Sequence, residues 1–89
     1  MYEFNGMFLT EENIQHIKNH VEDKLPSGSF FTAIICNDLR GAVGNADCQN
    51  IHKIPAYVSY FVNHTPSACW GSREKMEAWL DEKTKDKNA

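Results

Sequence analysis

No stretch of this chain comes near the ~20 consecutive apolar residues of a membrane-spanning helix, so no membrane association is expected. There is no C-x-x-C pair. The three cysteines, Cys36, Cys48 and Cys69, form an odd set with irregular spacing and follow no secretory leader. That pattern points to reduced thiols in a cytoplasm rather than a disulfide framework or a zinc knuckle. Basic residues are too few for a nucleic-acid footprint. Nine Lys and Arg stand against twelve Asp and Glu, for a net charge of −3, and no basic stripe appears. Internal repeats, low-complexity tracts and any motif that names a reaction or a cofactor are also missing.

What remains is an ordinary globular composition, 42% hydrophobic and 24% charged, in 89 residues. That length supports a single domain spanning 1–89. Folding at this size removes only ~60–65% of the unfolded chain's surface from water, which favours association with a copy or a partner. Residues 1–9 (MYEFNGMFL) read as an extended lead-in. The segment from Asp81 to Ala89 is almost entirely polar and reads as a frayed tail.

Between these ends the periodicity predicts an all-α bundle of about four helices. Thr10 caps the first, with Glu11 and Glu12 in its opening turn. Its apolar stripe is Ile14, Ile17, Val21 and Leu25, stopped by Leu25-Pro26-Ser27-Gly28. A second helix starts at Ser29 and runs to Gly44. Its apolar residues, Phe30, Phe31, Ile34, Ile35, Cys36, Leu39 and Val43, surround the whole helix, which marks a buried central element. Asp47 caps a third helix. Its pattern of Ile51, Ile54, Val58, Phe61 and Val62 passes through Pro55, so a kink or a break into two pieces is expected there. Residues 63–71 form a loop, and Ser72 caps a last helix with Met76, Trp79 and Leu80 on its apolar side.

Candidate sites are few. His16 and His20 stand four apart, a spacing that can chelate a metal. They fall opposite the apolar stripe, and Ile17 occupies the place where a zinc protease has glutamate, so no metal site is assigned. Cys69 with His64 is the raw material of a thiol nucleophile, but nothing orients the histidine or supplies an oxyanion hole, so no catalytic residue is assigned. The segment TPSACWGSREKMEAW (65–79) is richer. Ser67, Gly71 and Ser72 beside free helix N–H groups, the charge of Arg73 and the flat ring of Trp70 are what a nucleotide-sized anion requires. The alternative makes Trp70 a plug of the core. On the central helix, Asp38 falls among Phe31, Ile34 and Ala42, which predicts a buried carboxylate. Asn37 and Asp38 would then form a polar latch onto the loop, while Arg40 adds charge to the site.

The blocks GSFFTAIICNDLRGAVGNAD (28–47), IPAYVSYFVN (54–63) and PSACWGSREKMEAW (66–79) resemble a set of small bacteriophage- and prophage-encoded proteins. Their members carry a G-S-F-x-T-A…N-D-L…A-D block and a P-S-A-C-W-G-S block. The resemblance covers roughly residues 25–80 and brings no particular activity with it. It implies an accessory protein of the host-cell cytoplasm that counters host defence or adjusts host metabolism, either by gripping a protein or by sequestering a small anion such as a nucleotide. With the residues, it yields the expectation of a non-enzymatic binding protein without cofactor. Its partner is a small anionic ligand or a host or phage protein, and it forms a homo-oligomer. An inhibitor or assembly factor, and a small thiol or metal enzyme, are the alternatives.

Overall fold

The computed structural model describes residues 1–88, with side chains through Glu82. The chain is mainly helical, with five α-helices, two short 3-10 turns and a two-stranded antiparallel hairpin among the described residues. The hairpin joins β1 (Tyr2–Phe4) to β2 (Met7–Leu9), with Tyr2 opposite Leu9 and Phe4 opposite Met7. Its two-residue turn, Asn5-Gly6, has φ of 50° and 83°. Such left-handed pairs match the twist of the flanking strands, which is why Asn-Gly makes tight hairpins. The extended lead-in is thus a folded element, and its inner face packs on the fourth helix. Tyr2 closes that contact through a hydrogen bond between its hydroxyl and that of Ser59.

Helix α1 (Glu11–Val21) begins as expected. Thr10 Oγ1 accepts from the Asn13 N–H at 3.1 Å, and Asn13 Oδ1 accepts from the Thr10 N–H at 3.0 Å, a reciprocal cap. It ends a turn early. Lys24 adopts φ 52°, and Leu25, expected on the buried stripe, is exposed. Ile17 is buried as expected, and His20 joins it inside.

The central helix does not exist as one piece. It divides into α2 (Ser29–Ile35) and α3 (Leu39–Asn45). Asn37 sits at φ 59° and donates its N–H to Ile34 O at 3.0 Å, while Asp38 N–H reaches Ala33 O at 2.8 Å. These two bonds close α2 in the manner of a Schellman motif, with asparagine in the left-handed position usually held by glycine. Asp38 then opens α3 at once, its Oδ1 accepting from the Gly41 N–H at 3.0 Å. The carboxylate expected in the core is therefore an exposed helix cap. The break also ends the inference of burial on all sides. Phe30, Ala33, Ile34, Ile35 and Ala42 are inside, whereas Leu39 and Val43 face outward.

Asp47 caps as expected, but what it caps is a turn, with Oδ1 accepting from the N–H groups of Gln49 and Asn50. A 3-10 segment (Asn50–His52) follows, and then α4 (Ile54–His64). Pro55 occupies the first turn of α4, where its missing N–H costs nothing, so the third helix is broken rather than kinked. Helix α4 is the central element in place of 29–44. It buries Ile54, Ala56, Tyr57, Ser59 and Phe61 against α2 and the hairpin. The Tyr57 hydroxyl donates to Asn50 Oδ1 at 3.0 Å, and burial pushes its pKa up to about 12. A second 3-10 turn (Ser67–Cys69) leads to α5 (Arg73–Asn88), capped by Ser72. Met76, Trp79 and Leu80 form its inner side as expected. Helix α5 continues to Asn88 and so includes the polar segment from Asp81, while Ala89 lies outside the described residues.

The break between α2 and α3 makes a specific demand on glycine. A Cβ at position 41 would collide with the capping carboxylate of Asp38, whose Cγ would lie 2.9 Å away. At Gly44, on the same helix, it would meet nothing within 4 Å. Gly41→Ala should lower stability by about 1–3 kcal/mol through this overlap and the loss of the cap. Gly44→Ala should leave it unchanged or raise it by about 0.5–1 kcal/mol. Urea midpoints of the two variants check the contrast.

Candidate functional site

The loop of residues 65–72 is where the sequence concentrates its unusual residues, and the structure uses nearly all of them internally. The Cys69 carbonyl accepts from His20 Nε2 of α1 at 2.8 Å. The Gly71 N–H donates to Ile35 O, the open carbonyl at the end of α2, at 2.7 Å. Gly71 has φ 113°, a conformation that strains any residue with a Cβ. Trp70 is half-buried with its ring 5.2 Å from that of Phe61 on α4, tilted by 32°. Thr65 Oγ1 donates to Phe61 O at 2.7 Å, Ser72 Oγ accepts from the Lys75 N–H at 3.1 Å, and Lys75 Nζ reaches Ser67 O at 3.4 Å. The loop is therefore a latch joining α1, α2, α4 and α5.

Asp38 takes no part in that latch; the Ile35 carbonyl plays the role expected of it. Asn37 and Asp38 are structural, as expected, but at the joint between α2 and α3. Ser67 and Arg73 lie exposed at the loop and the first turn of α5. Arg40 is exposed on α3, and neither arginine has a hydrogen bond or ion pair among the described residues.

His16 and His20 do not form a metal-binding pair. His20 is 1% exposed, with Nε2 committed to Cys69, while His16 lies outside, stacked on Phe31 at 5.4 Å. The described residues contain no cluster of three or more metal-ligating side chains. His64 meets Tyr2 edge-on and lies tilted against Tyr60 on the outside of α4, and Cys69 is fully buried. Burial pushes the Cys69 thiol up and keeps it protonated. The Cys36 thiol moves the same way for the same reason, with the Arg73 charge opposing the shift, and its Sγ donates to Met76 Sδ at 3.7 Å.

A polar cleft of about 330 Å³ opens between the start of α1, Phe31 and the 47–53 segment. Most of its polar groups answer one another. Lys53 Nζ donates to Asn13 Oδ1 at 2.9 Å, Asn50 Oδ1 is held by Tyr57, and Asp47 by the turn it caps.

The surface of α3 and α4 has no such balance. Leu39 is 69% exposed, Val43 50% and Val62 62%. Leu39 and Val58 line a crease of about 30 Å³ where α3 meets α4, together with Ala33, Ile34, Ala42 and Ile54. Val58 also lines the adjoining open groove of about 450 Å³, with Phe4, Pro55 and Val62. Crease and groove share Val58, and among the described residues that line them Asp38 is the only charged one, beside the polar Asn37, Ser59 and Asn63. Sequence patterning missed this face because Leu39 and Val43 were read as part of one buried helix. The signal that could have found it is the Asn-Asp pair, which ends one helix and caps another. Comparison of the chain with protein-family models, curated proteins and solved structures finds no match.

Two outcomes follow from the buried groups. Desolvation lowers the His20 pKa, with the Cys69 carbonyl opposing the shift and Lys24 adding to it. The unfolded chain then binds the proton more readily. Stability is whole above the ordinary histidine value of ~6.5 and declines as pH falls from there through the folded value. The thermal midpoint should therefore drop between pH 7 and 5, and drop less in His20→Gln. With a thiol reagent, exposed Cys48 should react at once and Cys69 only as fast as the protein unfolds. A Cys69 that reacts as fast as Cys48 would contradict the burial.

Proposed function

We propose that the chain is a non-enzymatic accessory protein of a bacteriophage that acts in the host cytoplasm by binding a protein through its α3–α4 face. It would counter or adjust a host process by occupying that partner. The observation that supports this reading is the unpartnered apolar surface formed by Leu39, Val43, Pro55, Val58 and Val62. Contiguous exposed apolar surface is costly on a small soluble domain and characteristically marks an interface. Binding of a nucleotide-sized anion at the 66–73 loop has less support, because the Gly71 N–H, the Ser72 hydroxyl and the Trp70 ring already hold the loop to the body.

The test is capture of a stoichiometric partner from bacterial lysate by the tagged chain, repeated with purified partner. Leu39→Lys and Val62→Lys should weaken capture at least tenfold while leaving the far-UV circular dichroism unchanged, since both side chains point into water. Titration calorimetry with mono-, di- and cyclic nucleotides should be silent. Undiminished capture by both lysine variants, or heat from a nucleotide abolished by Arg73→Ala, overturns the reading.

A further inference from the structure

We infer that the α3–α4 face is covered, when no other protein holds it, by a second copy of the same chain in a two-fold dimer. This rests on the reading of that face as a protein-binding surface and names its resident partner.

A two-fold interface must carry both halves of its own complement on one patch, because each contact is made twice. This face does. Leu39 and Val43 stand one helical turn apart on α3 and project 69% and 50% exposed, forming a ridge. Beside them, Pro55, Val58 and Val62 with Phe4 line an open groove of about 450 Å³. Crossing two copies so that each ridge enters the other's groove satisfies both at once.

The charges at the edge follow the same rule. Leu39 is flanked in sequence by Asp38 and Arg40, one of each sign and both exposed. Asp38 spends Oδ1 on the Gly41 N–H and lines the crease with Ile54 and Val58. Arg40 has no hydrogen bond or ion pair among the described residues. When Leu39 of one copy lies against Val58 of the other, its neighbour Arg40 comes to the carboxylate of the opposite Asp38. The exchange is reciprocal and neutral, so the face meets itself without repulsion although the chain carries a net charge of −3.

A standard stable interface takes ~800 Å² from each partner, about a seventh of the 5572 Å² this chain exposes. For a domain that buries only ~60–65% of its surface by folding, that is a substantial addition to its core.

The experiment is sedimentation equilibrium of the purified full chain over micromolar to millimolar concentration. The expected mass is twice the 10.2 kDa of one chain. Leu39→Lys and Val62→Lys should each raise the dimer dissociation constant at least tenfold with an unchanged helical spectrum. Arg40→Glu should raise it less and should flatten its dependence on salt. A wild-type chain that stays at 10.2 kDa throughout, or a dimer indifferent to both lysine variants, overturns the inference. Its failure is separable from that of the proposed function. A monomer whose protein capture is still lost in Leu39→Lys sinks the dimer and keeps the binding face. A dimer lost in Leu39→Lys, with capture unimpaired, keeps the dimer and sinks the binding reading.

Discussion

Two hydrogen bonds made by the backbone of one loop tie together distant segments of this small domain. The Cys69 carbonyl takes the imidazole of His20, and the Gly71 amide takes the carbonyl of Ile35. The first is buried, and each joins segments more than thirty residues apart. Most of the remaining contacts are local: α2 with α3, one strand with the next, α5 with the turn before it. Remove the loop and little would set the angles among the helices. The indole of Trp79 on α5 adds a third tie, donating to Val21 O at 3.1 Å. Burying an imidazole with an unpartnered Nδ1 is a cost that the carbonyl contact and the surrounding apolar packing offset.

With its polar groups so thoroughly committed within the fold, the molecule has an uneven surface. Around the 65–72 loop and in the cleft beside α1, donors largely find acceptors inside the same chain. On the α3–α4 side, the aliphatic carbons of Leu39, Val43 and Val62 face water. The first arrangement gives the loop its architectural role, and the second leaves those three side chains exposed on the α3–α4 face.

The helices were legible where a local rule decided them. Thr10, Asp47 and Ser72 act as caps because a short oxygen-bearing side chain before an apolar period has few other uses. Pro55 broke the third helix for a stereochemical reason that needs no tertiary context. The hairpin was equally local, since Asn5-Gly6 between alternating apolar residues is a strong turn signal, and reading 1–9 as extended chain overlooked it. Asp38 failed for another reason. Helical periodicity assumes a continuous helix, and the left-handed residue at Asn37 resets the phase, so the orientations expected of Asp38, Leu39 and Val43 were displaced. The loop was legible as a special element, but not its purpose. Whether an amide is free or engaged depends on which carbonyl the fold brings opposite, and Ile35 carries no mark of that in its side chain.

The joint at Asn37 and Asp38 also governs how this segment can change in evolution. The last bonds of one helix and the first bond of the next share two adjacent residues, leaving no spacer to absorb an insertion or deletion. One residue added there would turn α3 by ~100° about its axis. Leu39 would swing away from the crease, and Ala42, now buried, would leave the core. Neutral length variation belongs in the turn between α3 and α4, where Cys48 and Gln49 stand in solvent. Across 36–40 the chain can drift in composition but not in count, because the direction in which the exposed leucine points is set by residue number.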